Sequence, residues 1–121
     1  MKKFNQLNVW QKGMELCVLV YNFTERMPSS EKYALISQMQ RASVSIVSNI
    51  AEGSSRKSRK DFRRFVEMAL GSCYELETQL ILAKQIYNIS EDDLSQIDPI
   101  LTIVRKQILG LINSLNLTID K

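Results

Sequence analysis

Apolar side chains return every three or four residues along nearly the whole chain, which is the spacing of one face of an α-helix. No stretch alternates apolar and polar residues with the period of two that a half-buried strand needs. The first helix is predicted over about residues 8–26. Leu7, Trp10, Met14, Cys17 and Tyr21 form its buried stripe, and a second series, Val9, Gly13, Leu16, Val20 and Phe23, lies to one side. Met27-Pro28 ends it, because the residue before proline is pushed out of the helical region. The second helix is predicted over 30–52, capped by Ser29 or Ser30, with Ile36, Met39, Ser43, Ile46, Val47 and Ile50 inward. Gly53 is expected to close it in the left-handed conformation.

Ser58 followed by Asp61 starts a third helix, 58–88, in a capping-box-like arrangement. Its inward residues are Phe62, Phe65, Ala69, Cys73, Leu76, Leu80, Ala83 and Tyr87. Ser90 with Asp93 repeats the cap logic for a fourth helix over 91–116, broken near 98–99 where Asp98 caps a restart at Pro99. Leu101, Val104, Ile108, Leu111 and Leu115 form its stripe, widened by Ile100, Ile103 and Ile112, and the tail from Asn116 is expected to fray. Four such helices with short connections predict one all-α domain over 1–121, an antiparallel up-down four-helix bundle. The first and fourth helices carry more apolar surface than a small bundle consumes, which points to a homo-oligomer.

Composition narrows the chemistry. The chain has no histidine, so no Ser-His-Asp or Cys-His nucleophile and no His-bearing metal site can form. Its two cysteines, Cys17 and Cys73, make no disulfide scaffold and fit reduced thiols in the cytoplasm. No segment has the length and apolarity of a membrane span, and the start Met-Lys-Lys-Phe-Asn-Gln is too polar for a signal-peptide core. No nucleophile has a base partner, and nothing sets a metal geometry for Glu52, Glu67 and Glu75. A non-enzymatic protein without cofactor, metal or small-molecule substrate is the expectation.

Net charge is only +3, but its distribution is uneven. Arg56, Lys57, Arg59, Lys60, Arg63 and Arg64 set six positive charges in nine residues against Asp61, leaving the rest of the chain at −2. Such clustering is the footprint expected for a polyanion or an acidic partner, placed here at a helix N-terminus. With Phe62 and Phe65 in the core, base stacking is not expected of it. If the whole patch engaged duplex, log K would fall with log salt at a slope of about −4 to −5.

Opposite the core, Gln38, Arg41, Ser45, Asn49 and Glu52 form one stripe on the second helix. Lys60, Arg64, Glu67, Gly71, Glu75 and Thr78 form another on the third. Ser45, Asn49, Gly71 and Ser72 are poor helix formers, which suits a close helix approach with Arg41 paired to Glu75 or Glu52.

The run from Gln38 to Gly53, with Arg41, Ser45, Asn49 and Glu52, resembles the signature of the 23S rRNA intervening-sequence protein family. Leu7-Asn8-Val9-Trp10, Pro28…Glu31…Tyr33, Ser58…Phe62…Phe65 and Ala69…Gly71-Ser72…Glu75 follow in matching order over residues 4–115. The resemblance implies a left-handed four-helix bundle assembled as a ring-like homopentamer, with no catalytic residues. A related branch is the accessory variability determinant of diversity-generating retroelements, which binds a reverse transcriptase and nucleic acid. Repeated about a symmetry axis, the basic patch would bind RNA or DNA phosphates. The alternative is a scaffold whose partner is a protein such as a nucleic-acid enzyme.

Overall fold

The computed structural model describes residues 3–119, apart from the side chains of Asp93, Thr118 and Ile119. Met1, Lys2, Asp120 and Lys121, the ends of the polar start and of the tail expected to fray, lie outside it. A 3-10 turn at Phe4–Gln6 leads into α1 (Asn8–Thr24), and a second at Ser29–Glu31 precedes α2 (Leu35–Ser54). Then come α3 (Arg59–Tyr87), the single turn α4 (Glu91–Leu94) and α5 (Ile97–Ile119). The four long helices enclose one core, each packing against two others: α1 on α2 and α5, and α3 on α2 and α5. No strand occurs among the described residues.

Leu16, Val20, Met39, Ile46, Ile50, Val66, Leu76, Val104 and Ile108 are sealed from solvent at its centre. Burying each such side chain contributes about 1.5–3 kcal/mol, so this layer and its neighbours hold the bundle together. On α1 the two predicted stripes exchange roles. Val9, Gly13, Leu16, Val20 and Phe23 are buried, while Met14 and Tyr21 of the first stripe are exposed and only Cys17 of it is fully inside. The arc was wide enough for either half to turn inward, and Gly13 decides it. A Cβ there would stand 2.6 Å from Val47 Cγ1, so the glycine edge is the one that lets α2 come close.

Three predicted boundaries move. The second helix starts at Leu35 rather than at Ser30, because the carboxylate of Glu31 serves the helix start and neither serine does: Glu31 Oε2 accepts from Leu35 N at 3.1 Å. Gly53 does not take the left-handed conformation. It is buried inside the last turn of α2, where a Cβ would sit 2.7 Å from Phe65 Cβ. The hydroxyls of Ser54 and Ser55 end the helix instead, donating to Ala51 O and Glu52 O at 2.8 and 2.6 Å. The last break falls at residues 95–96, not 98–99. Ser95 Oγ donates to Asp92 O at 2.8 Å, and Pro99 is the third residue of α5, where its missing N–H has no intrahelical acceptor to lose. Helix α5 continues through residue 116 to Ile119.

The third helix follows the sequence reading. Ser58 Oγ accepts from Asp61 N at 3.1 Å, and Asn88 closes the far end at φ 50°, ψ 44°, a left-handed position that asparagine tolerates. Tyr87 Oη donates to Glu31 Oε1 at 2.5 Å, tying the end of α3 to the turn before α2. Both cysteines are buried and free. Burial pushes the Cys17 thiol up and takes that of Cys73 to about 12.

Candidate nucleic-acid interface

The six clustered cations straddle the α2–α3 turn and the first turns of α3, where the Ser58 cap fixes the direction in which that helix leaves. The structure divides them by what they touch. Arg56 Nη2 donates to Glu52 Oε1 at 2.8 Å, and its guanidinium lies 4.7 Å from the centre of the Phe65 ring. Arg63, half-buried, reaches across to α5: Nη1 donates to Asn116 Oδ1 at 3.0 Å, and Nε stands 3.6 Å from Glu67 Oε1. These two arginines are structural ties. Arg59 is also engaged in a contact. Lys57, Lys60 and Arg64 are exposed and form no ion pair among the described residues, although Arg64 leans toward the Phe65 ring at 5.6 Å.

One carboxylate is held and another is paired where α3 ends. Glu31 is held there by Tyr87, and Glu91 pairs with Lys84. The hydrogen bonds from Tyr87 and from the Leu35 amide hold the Glu31 carboxyl below its ordinary range, and the same contact raises the Tyr87 phenol.

The polar stripes meet along the outer seam of α2 and α3. Ser45 Oγ and Ser72 Oγ share a hydrogen bond at 2.9 Å, and Asn49 Nδ2 donates to Ser45 O and Oγ at 2.8 and 3.0 Å. These small polar residues therefore clamp the two helices, as their poor helix propensity suggested. Two expectations fail here. Glu52 is taken by Arg56, and Arg41 pairs with neither Glu52 nor Glu75, so both Arg41 and Glu75 point outward without an ion-pair partner among the described residues. Gly71 allows no close approach either, since nothing lies within 4 Å of where its Cβ would be.

Farther along the same seam is an open cleft of about 620 Å³ lined by Gln38, Arg41, Tyr74, Glu75, Thr78, Gln79 and Leu82. Gln79 is only 7% exposed, and its Oε1 has no hydrogen-bond partner. Tyr74 is 49% exposed. Sequence reasoning found the stripe but missed Tyr74, Gln79 and Leu82 as parts of a site. The one available signal was the spacing of Tyr74, Thr78 and Leu82, four residues apart on one helix face.

Surplus apolar surface lies on α1 at Met14, Val18 and Tyr21 and on α5 at Ile103, Leu109 and Leu117, the two helices expected to carry it. Helix α3 adds Met68, Ile81 and Ile86, which were not foreseen. Among the described residues no three or more Cys, Asp or Glu side chains converge as metal ligands, and no helix is long and apolar enough to cross a membrane.

A family profile described as 23S rRNA-intervening sequence protein matches residues 5–110. The fold is similar to the crystal structure of a protein of unknown function from the S23 ribosomal protein family of Bacteroides thetaiotaomicron. The two share 26% identity at a TM-score of 0.76, over 86% of this chain and 97% of that one. No curated protein matches the chain.

Proposed function

Because the chain belongs to the 23S rRNA-intervening sequence protein family, we propose that it is a non-enzymatic, cytoplasmic, homo-oligomeric protein that holds nucleic-acid phosphates on a repeated basic patch. One observation carries the reading: Lys57 in the α2–α3 turn and Lys60 and Arg64 on the first turns of α3 stand exposed without carboxylate partners among the described residues, while Arg56 and Arg63 brace the backbone that presents them. Phosphate contacts of this kind supply affinity without sequence readout, and the helix N-terminus adds its partial positive charge. In this reading the helices alternate in direction. The exposed flanks of α1 and α5 join head to tail with neighbouring copies and close a ring, taken here as a pentamer. Multiplying a weak site about that axis raises avidity.

A nucleic-acid shift assay across a salt series tests it. With Lys57, Lys60 and Arg64 free of carboxylates among the described residues, one patch engaging duplex should give a slope of log K against log salt of about −3, shallower than the full cluster would give. Changing Lys57, Lys60 and Arg64 together to Gln should abolish retention while leaving particle size unchanged. Absence of RNA or DNA retention by the unaltered protein at low salt overturns the reading. Recovery of a protein partner after nuclease treatment would then favour the scaffold role, for which the exposed apolar side chains of α3 offer contacts.

A further inference from the structure

The aromatic rings inside the basic run belong to the core: Phe65 is buried and Phe62 packs against it. A different ring stands exposed in the 3-10 turn before α1. Phe4 is 42% exposed, and its centroid lies 5.3 Å from that of Trp10 with the planes 74° apart. An edge-to-face contact of this kind leaves at least one face of Phe4 uncovered by the indole. The turn is fastened on both sides of the ring. Lys3 N donates to Gln6 Oε1 at 3.1 Å, Leu7 N to Phe4 O at 3.1 Å and Gln11 Nε2 to Asn5 O at 3.0 Å. Phe4 is therefore held in place before anything arrives, which cuts the ordering cost of binding.

Contacts between α1 and α2 place that turn beside the basic run. Gly13 packs on Val47, Cys17 Sγ donates to Ser43 O at 3.0 Å, and Gln40 Nε2 donates to Thr24 Oγ1 at 3.2 Å, so partners on α2 fall in number as those on α1 rise. Followed back toward the start of α1, the same register sets Phe4 level with the last turn of α2 and Arg56, and the 3-10 turn does pack against α2. Neighbouring helix axes stand about 8–10 Å apart. One short stretch of strand can therefore touch both Phe4 and Lys57.

We propose that one base of a single-stranded polynucleotide stacks on Phe4 while its neighbouring phosphates sit on Lys3 and Lys57. The inference rests on the nucleic-acid reading above, which supplies the polymer. Every base has a π-face, so a ring platform takes RNA and DNA strands alike, whereas a duplex keeps its bases stacked on one another. Charge favours this occupant over a second copy of the chain. Lys3 and Lys57 are exposed and form no ion pair among the described residues, and Glu52, the carboxylate of that last turn of α2, is taken by Arg56. An identical end brought against this one would set like charges together, while a strand neutralises them.

Trp10, the single tryptophan of the chain, is a reporter already in place against Phe4. Its fluorescence in the full chain is followed during titration with a short oligothymidylate and with an abasic strand of the same length, which carries the same phosphates without bases. The oligothymidylate should bind about tenfold more tightly than the abasic strand and change the Trp10 emission, which the abasic strand and a duplex should leave alone. Oligouridylate should match the oligothymidylate. Phe4→Leu, which keeps the bulk and the indole, should remove the tenfold advantage and leave duplex retention and its salt slope unchanged. Lys57, Lys60 and Arg64 changed together to Gln should instead weaken all of these ligands, so the two sites fail separately. Duplex retained with no advantage for the base-bearing strand, or with no change in Trp10 emission, overturns the stacking site alone. No retention of strand or duplex by the unaltered protein overturns both readings. A smaller particle on Phe4→Leu, which would make the ring a subunit contact, overturns the proposal as well.

Discussion

Alanine at Gly53 and at Gly71 should move stability in opposite directions, although both glycines are helical. Each substitution gains about 1 kcal/mol of helix propensity. At Gly71 nothing stands within 4 Å of the added Cβ, so the gain is kept. At Gly53 the same atom meets Phe65 Cβ at 2.7 Å and Phe62 O at 3.3 Å, atoms that move only if α3 moves. Overpacking of that kind costs about 1–3 kcal/mol, which leaves a net loss of about 1 kcal/mol. Unfolding entropy near 2.1 cal/mol/K per residue means that 1 kcal/mol shifts the midpoint of a chain this long by about 4 °C. Gly71→Ala should therefore melt about 4 °C above the unaltered protein and Gly53→Ala about 4 °C below it. The assay is circular dichroism at one fixed protein concentration, since association would itself shift the midpoint. A Gly53→Ala protein that melts at or above the unaltered chain refutes the close-packing account of that residue.

Ser58→Ala removes the acceptor for Asp61 N and should cost about 1 kcal/mol in a urea titration. The Tyr87–Glu31 contact predicts a pH response with two limbs. Glu31, whose folded pKa is depressed, contributes stability above the ordinary carboxylate range that is lost as pH falls through its lowered value. Tyr87, whose folded pKa is raised, contributes stability below the ordinary phenol range that is lost as pH climbs through its raised value. Tyr87→Phe should flatten both limbs when urea midpoints are followed against pH; unchanged limbs would assign them to other groups. With its thiol at about 12 and no solvent access, Cys73 should resist iodoacetamide at pH 8 until urea unfolds the chain. Rapid labelling of the native protein would contradict the packing around it.

The helical plan was legible because three-and-four spacing is a property of the chain itself. Ser58 with Asp61 and the inward series on α3 needed nothing from outside their own helix. What failed to show depended on distant partners. Glu31 could displace Ser30 as the group serving the start of α2 only because Tyr87, 56 residues away, orients it. Gly53 read as a terminator because its neighbours in sequence are turn formers, whereas Phe62 and Phe65 from the next helix dictate its size. The basic run was visible, but not its division, since Asn116 and Glu67 claim Arg63 and Glu52 claims Arg56 only after folding. Gln79 gave no sign at all, because a lone glutamine between Thr78 and Leu80 carries no mark that its side chain turns inward.

The cations at the head of α3 and the Glu31 carboxylate held by Tyr87 at its tail give the chain an electrical polarity along that helix. A polyanion drifting near would exert a torque before any atoms touched, swinging the cationic pole foremost and raising the share of collisions that begin in a useful attitude. That guidance fades beyond about 8 Å at physiological ionic strength, so it governs the final approach and leaves the long-range search to diffusion.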